Sequence, residues 1–507
     1  MDFIKPGQNL IENYNPLVYN SLEMSLWYYL RKFFNSNYFT LIFVVTLFLL
    51  TFIKYLKIPK LRSARFMLIT VIVLGVALRV AWLLFSSHTP QFSWNPKHML
   101  ENDLINIHAI DLTKGIWFVD ELGAPSARRP IGYPMFLGLL YKVFGIHLWV
   151  ARISNLALFA ASVLLIYQIA KLLFSERVGL LAAFLFSIYP TSIYSIALIA
   201  DEHLFLPLWY LGLYLLLREV RGRRVRYALF WYGLVFGYAT MIRTHSIFMP
   251  FVVAFAYLLM KNSWKRIVTA FLVVLCVMQL INLPWVIRNY KVWRVPVLYT
   301  ATGGFIYSHL NSYATPEGGG HIPVKGEPGY SEALDQAEKE GNGALAHVIS
   351  NREMTRWILT HPKKFAVLGT ERLLVFMGWN RVGMWPIWYQ FYEGSYDPAR
   401  PVSSAEKHVF EEAAYAFYYV ILFSFIGAVI TFWRQRKNIP EASKAGILTI
   451  GACFLFWFFE QMVIFPDRKY RFPLEPLMIV AACAFFDYLI FHFRWENFLK
   501  NDVKHAA

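Results

Sequence analysis

Long apolar blocks alternate with short polar junctions along most of the chain. "FMLITVIVLGVALRVAWLLF" (66–85) and "FLVVLCVMQLINLPWVI" (271–287) each approach the roughly 20 residues that cross a bilayer core. The pattern predicts an all-α polytopic membrane protein. About eleven spans are expected, near 38–54, 66–86, 149–173, 178–197, 203–218, 227–243, 246–260, 267–286, 412–433, 445–465 and 473–493. Two longer polar stretches interrupt them. In "ENDLINIHAIDLTKG" (101–115), Asp103 suits an N-cap and Gly115 the residue just past a helix end, so 104–114 is predicted as a short helix. The second stretch, 287–411, holds turn-rich "TPEGGGHIPVKGEPGY" (315–330) and a predicted helix around 331–360. It continues into "THPKKFAVLGTERLLVFMGW" (360–379), where Lys363, Lys364, Glu371 and Arg372 break an apolar face and make it interfacial rather than spanning. Four segments result: 1–65 with an extra span and a basic loop, a core over 66–286 including loop 87–148, the loop 287–411, and 412–507 with the last spans and tail.

Composition agrees. The chain of 507 residues is 57% hydrophobic and only 16% charged, too little charge to cover a soluble protein of this length. The net charge of +17 does not point to nucleic acid, because it gathers in short loops between apolar blocks. These are Lys54, Lys57, Lys60, Arg62 and Arg65; Arg218, Arg221, Arg223, Arg224 and Arg226; Lys261, Lys265 and Arg266; and Arg434, Arg436 and Lys437. The positive-inside rule puts such loops in the cytoplasm, so 87–148, 287–411, "FPDRKYRFP" (465–473) and the junctions 198–202 and 244–245 face outward. Cys276, Cys453 and Cys483 fall within apolar spans and read as small apolar residues, with no disulfide framework and no zinc spacing. No cleavable signal peptide and no internal repeat are expected.

Candidate chemistry collects on the outward side. Asp103 and Asp111 are about 12 Å apart along a straight helix, too far to share one metal ion or one proton transfer. Asp103 either caps a surface helix or works at a reacting atom, whereas His108 and Asp111 read as a wet helix face or at most acceptor contacts. In "RRPIGYPMFLGLLYKVFG" (128–145) two prolines stiffen a turn behind Arg128 and Arg129, which either clamp a phosphate or snorkel to headgroups. "IADEHLF" (199–205) places Asp201, Glu202 and His203 at an apolar boundary, as a polar turn or a working site. Arg243 and His245 in "MIRTHS", Arg288 in "NLPWVIRNY", and Arg468, Lys469 and Arg471 in "PDRKYRFPLEP" face the same side. Each could anchor at the interface; together they would make a basic pocket around the acids, suited to an anionic lipid phosphate.

In this order, Asp103, "RRPIGYP", "YPTSIYSIALIADEHLF", "GYATMIRTHS", "PWVIRNYKVW" followed by "GG", and "RKYRFPLEP" resemble the bacterial GT-C glycosyltransferases related to the protein O-mannosyltransferases (family 39 type). The aminoarabinose transferases that modify lipid A share the plan, and the resemblance runs from about residue 66 to 493. It implies the GT-C glycosyltransferase fold, a helical membrane core with periplasmic amphipathic helices. It also implies transfer of a sugar from a polyprenyl-phosphate donor to an acceptor glycan, lipid or protein on the periplasmic side of the bacterial inner membrane. Membrane lipids are expected partners and nucleic acid is not. Asp103 matches the family's first-loop aspartate, which implies a general base. The second acidic position matches Asp201 or Glu202, with Glu202 favoured. Arg128, Arg129, Arg243, Arg288, Arg468, Lys469 and Arg471 become expected donor-phosphate contacts. A divalent cation (Mg or Mn) held by Asp103 and Glu202 is a further expectation, with no organic cofactor. Two departures stand out. Relatives carry an adjacent acidic pair in the first loop, where this chain has Asn102 and Leu104 around Asp103; relatives can also carry Glu-Lys where it has Arg128-Arg129. Two other readings are a polysaccharide polymerase or ligase using the same lipid-phosphate chemistry, and a flippase or transporter of lipid-linked sugars. The flippase would call for inverted repeats and midplane polar residues.

Overall fold

The computed structural model describes residues 62–87, 103–119, 123, 125–301, 325–326, 330–340, 342–378, 404–464 and 468–491. The expected span at 38–54 with its basic loop, the "GG" at 303–304, and the side chains of Asp103 and Arg468 lie outside the described part. Apart from one isolated antiparallel bridge between Val119 and Pro125, the regular structure described is helical. In chain order the helices are α1 (Arg62–Ser87), α2 (Asp103–Thr113), α3 (Gly132–Phe144), α4 (Leu148–Leu173), α5 (Glu176–Ser187), α6 (Pro190–Tyr194), α7 (Glu202–Val220) and α8 (Ala228–Ile242). There follow α9 (Met249–Leu259), α10 (Trp264–Trp293), α11 (Glu332–Lys339), α12 (Gly343–Thr360), α13 (Pro362–Phe376), α14 (Ser404–Gln435), α15 (Glu441–Val463) and α16 (Glu475–Phe491). Short 3₁₀ turns cover Ser195–Ala197, Thr244–Phe248 and Arg468–Arg471.

Five of the described helices, α1, α4, α10, α14 and α15, are long and apolar enough to cross a membrane, so the chain is a multi-pass helical membrane protein. The bent pair over 176–197 makes a sixth if counted as one span, and Ala228–Ile242 and Thr244–Leu259 are apolar but shorter. Among the described residues, length and apolarity alone therefore account for five or six of the expected eleven. The basic loops among the described residues meet at one end of the bundle. There Arg221 donates to Ser443 Oγ at 2.5 Å, Arg177 pairs with Asp487 at 3.4 Å, and Lys171 with Glu176 at 2.6 Å. The junctions 198–202, 243–245 and 468–471 gather at the other end.

Three elements depart from the hydropathy reading. The expected span 178–197 is broken, with α5 and the α6 segment bent by 55° around Ser187–Pro190. Pro190 cannot donate into a continuing ladder, and a buried arginine fills the gap. Arg79 on α1 donates to Ser187 O at 2.8 Å and Ser192 Oγ at 2.6 Å, and lies over the Phe159 ring at 3.4 Å. The expected helix at 331–360 is two, with Asn342 capping the second by accepting from Leu345 N at 3.0 Å. Helix α10 runs 30 residues, about 45 Å at 1.5 Å per residue, and so projects past a hydrocarbon core. Its projecting end holds the following irregular segment: Asn282 donates to Leu298 O (2.6 Å), Trp285 to Tyr299 O (2.8 Å) and Asn289 to Val297 O (3.0 Å). The short helix α2 forms as expected, and Gly115 follows it at φ 78°.

Candidate functional site

The broken span ends in a turn that delivers Asp201 and Glu202 to the N-terminus of α7. An acidic residue in a first helical turn is favoured by the helix dipole. His203, one residue on, is buried and engaged with the backbone, its Nε2 lying 2.9 Å from Ser195 O. Opposite this turn α8 stops at Arg243, which takes an extended conformation (φ −144°, ψ 131°) and so leaves the helix path. Its Nη1 lies 2.5 Å from Glu202 Oε1 and 3.5 Å from Asp201 Oδ1. The Glu202 side chain is 4% exposed and that of Asp201 19%, so Asp201 is the more accessible of the two. Burial pushes the Asp201 carboxyl up to about 7; Arg243 opposes this and the neighbouring Glu202 adds to it.

Two further cations act on this pair electrostatically, Arg129 on Asp201 and Lys469 on Glu202. Arg129 arrives by close packing. A Cβ on Gly132 would lie 2.7 Å from Met241 O, and Tyr238 OH donates to Gly132 O at 3.1 Å. The "RPIGYP" turn thus lies against the last turn of α8, two residues before Arg243. Lys469 arrives through aromatic packing. The Tyr470 ring stands 5.2 Å from the Arg243 guanidinium carbon, and Tyr470 O accepts from Trp457 Nε1 at 3.0 Å. His245 stacks on Trp457 (4.6 Å, 28°), and its Nδ1 is 2.7 Å from Glu460 Oε2.

The structure therefore brings together Asp201, Glu202, Arg243, Arg129 and Lys469, and leaves other candidates elsewhere. Arg128 is exposed. Arg288 clips the first loop: Nη1 donates to Ser126 O at 3.0 Å and Nη2 to Phe118 O at 2.9 Å. Arg471, 2% exposed, donates through Nε to Glu475 (2.8 Å) and through Nη1 to Phe376 O (2.8 Å), with its guanidinium over the Tyr418 ring. Asp103 begins α2, its side chain outside the described part. The reading of His108 as a wet-face residue is corrected: it is 0% exposed and stacked on Phe118 at 4.4 Å. The reason is that α2 packs on α3, where Tyr141 OH donates to Asn106 at 2.8 Å, while Arg288 holds the Phe118 backbone over the other side. Burial first, then the charges of Arg129 and Arg288, lower the imidazole's pKa to about 4, so it is neutral near pH 7. Asp111 is half-buried.

Sequence reasoning missed Glu460, Trp457 and Tyr470. A signal existed for the first, a lone carboxylate within "FLFWFFEQMVIF". Among the described residues no group of three or more His, Cys, Asp or Glu is placed to hold a metal ion.

Comparisons with known proteins give the following. Residues 128–287 match the family model described as dolichyl-phosphate-mannose-protein mannosyltransferase. That stretch contains Arg128, Arg129, Asp201, Glu202 and Arg243 and ends one residue before Arg288; Asp103 and 468–471 lie outside it. No curated protein matches the sequence significantly. Among solved structures, the Archaeoglobus fulgidus oligosaccharyltransferase in its apo form is 13% identical at a TM-score of 0.48, covering 86% of this chain and 52% of its own. The Archaeoglobus fulgidus oligosaccharyltransferase AglB, in complex with an inhibitory peptide and a dolichol-phosphate, is 13% identical at 0.46, covering 87% and 52%. ArnT from Cupriavidus metallidurans, bound to undecaprenyl phosphate, is 13% identical at 0.37, covering 82% and 77%. The chain spans about half the length of the archaeal structures it matches.

Proposed function

We propose that this chain is a membrane glycosyltransferase of the GT-C type. It moves a sugar from a polyprenyl-phosphate carrier to a hydroxyl of an acceptor glycan, lipid or protein, at the periplasmic face of a bacterial inner membrane. One observation carries the reading. The stretch that matches the mannosyltransferase family folds so that its turn arginine, its acidic pair and Arg243 form one charged cluster at the end of the bundle away from the basic loops. A transporter reading would instead put the polar groups near the midplane.

In this reading Asp103 takes the proton of the acceptor hydroxyl. The freed oxygen attacks the anomeric carbon, the bond from that carbon to the phosphate oxygen breaks, and the electron pair leaves on the polyprenyl phosphate. Charge grows on the departing phosphate, so fixed cations beside it stabilise the transition state. Arg129 and Lys469 suit this role, with Arg128 and Arg468 flanking them. Arg243 is held by both carboxylates and keeps them in place. Arg288 and Arg471 act as clamps on the loops that bear the other residues. Asp103 and Glu202 would be the ligands of a divalent cation. The described residues do not yet make such a site: Glu202 and Asp201 both already face Arg243, and among the described residues no group of three or more His, Cys, Asp or Glu is placed to hold a metal ion. Such an ion would supply further neutralisation of the phosphate.

The test uses full-length protein in vesicles with a labelled polyprenyl-phosphate sugar, alongside mass spectrometry of envelope glycans and glycoproteins from a deletion strain. Asp103→Asn should stay folded and lose transfer by roughly 10²-fold or more. Normal transfer by that variant overturns the base assignment, and an unchanged glycan profile in the deletion strain overturns the activity. Transfer insensitive to chelation, together with a fully active Glu202→Gln, overturns the metal.

A further inference from the structure

A groove of about 810 Å³ runs between α9, α14, α15 and α16, away from the acidic cluster. Its wall is almost wholly apolar and includes Phe251, Phe425, Phe432, Ile447, Phe454 and Phe485. Gly451 also faces it: a Cβ built there meets nothing within 4 Å, so open space begins where a packed helix would have side chains. The groove has one polar end, where Gln435 Nε2 donates to Tyr488 OH at 3.3 Å. That end lies among the basic loops. Arg434, Arg436 and Lys437 flank the lining residues Phe432, Gln435 and Ile439.

Among the described residues the charges at this end are unbalanced. Asp487 is paired with Arg177 (3.4 Å) and Glu441 with Lys444 (3.4 Å). Among the described residues no carboxylate pairs with Arg434, Arg436 or Lys437. The Arg436 guanidinium rests over the Trp433 ring at 4.3 Å, and Trp433 is 64% exposed, the placement of an aromatic at a membrane interface. Basic pockets between membrane helices on the positive side suit anionic headgroups, because the lipid phosphate and the cations complement each other where an apolar slot takes the chain. We propose that this groove is a lipid site: one acyl chain of an anionic phospholipid fills it past Gly451, and the headgroup phosphate is held by Arg434, Arg436 and Lys437. The site is separate from the acidic cluster and does not depend on the proposed activity.

The experiment is native mass spectrometry of the full-length protein in neutral detergent, titrated with phosphatidylglycerol, phosphatidylethanolamine and polyprenyl phosphate. Phosphatidylglycerol should be retained about tenfold more tightly than phosphatidylethanolamine, about 1.4 kcal/mol. Gly451→Leu, whose side chain enters open space, should abolish that retention. The Arg434→Gln/Lys437→Gln variant, at exposed positions in the last turn of α14 and just after it, should bring phosphatidylglycerol down to the phosphatidylethanolamine level. Should Gly451→Leu fail to fold, the charge variant alone decides, with circular dichroism and elution volume as the folding controls. Equal retention of both phospholipids, or retention unchanged in the charge variant, makes the groove ordinary lipid-filled space and overturns the proposal. So does polyprenyl phosphate displacing phosphatidylglycerol from the protein, which would make it a donor groove.

Discussion

Replacing Arg243 by glutamine tests the central cluster. The guanidinium sits 2.5 Å from Glu202 and 3.5 Å from Asp201, with the Arg243 and Glu202 side chains 6% and 4% exposed. At an effective dielectric of about 20 these contacts are worth gross attractions of roughly 7 and 5 kcal/mol. Most of that offsets the desolvation of three ions, so the measurable loss on removing one partner is about 3–5 kcal/mol. The two carboxylates then keep only the electrostatic help of Arg129 and Lys469. Arg243→Gln should therefore unfold in detergent at clearly lower temperature or denaturant, and Arg243→Gln/Glu202→Gln should recover part of the loss, with a coupling of about 2 kcal/mol. The pH dependence has a definite sign. Asp201's folded value is raised, so its contribution to stability is full below about 4 and is lost as pH rises through about 7. Without Arg243 the value rises further, and the variant's deficit should be larger at pH 8 than at pH 5. Additive single and double variants, or a deficit independent of pH, would refute the reasoning.

Three other outcomes follow. His108→Phe removes a buried imidazole whose two nitrogens have no hydrogen-bond partner among the described residues, and keeps the stack on Phe118, so the melting temperature should hold or rise; a drop of several degrees would show that the imidazole has work there. Gly132→Ala forces a methyl against the Met241 carbonyl and should cost about 1–3 kcal/mol in unfolding measurements and lower transfer; wild-type behaviour in both would show that the turn does not lie against α8. Glu460→Gln should slow transfer while leaving lipid-phosphate binding intact, read as a fall in kcat at constant KM, because Glu460 reaches the cluster only through His245 and Trp457; an unchanged kcat would count against that linkage.

Hydropathy alone located α1, α4, α10, α14 and α15, because each is a continuous apolar run of bilayer length. It ran straight through the break at Ser187–Pro190, since averaging over a window hides one proline and the distant arginine that completes the gap. The acidic pair was legible because carboxylates at an apolar boundary are conspicuous. Its link to Glu460 was not: His245, Trp457 and Tyr470 come from separate elements, and no local spacing expresses their stack. His108 was misread for a related reason. A helix face was assigned from residue type, whereas the Phe118 turn and α3 decide which side is covered.

The arginine in the broken span also bears on how the chain is made. Arg79 lies in a helix that can cross the membrane, yet its acceptor at Ser187 is 108 residues further on. At a synthesis rate of roughly 5–20 residues per second, α1 emerges about 5–20 s before Ser187 and Ser192, so until then only Gly75 O of its own helix receives the guanidinium. During that interval a charged side chain near a helix centre disfavours insertion by about 3 kcal/mol. The apolar residues of α1 outweigh that cost, but the guanidinium reaches its full set of acceptors only once α5 and α6 are in place, so α1 completes its packing together with the broken span.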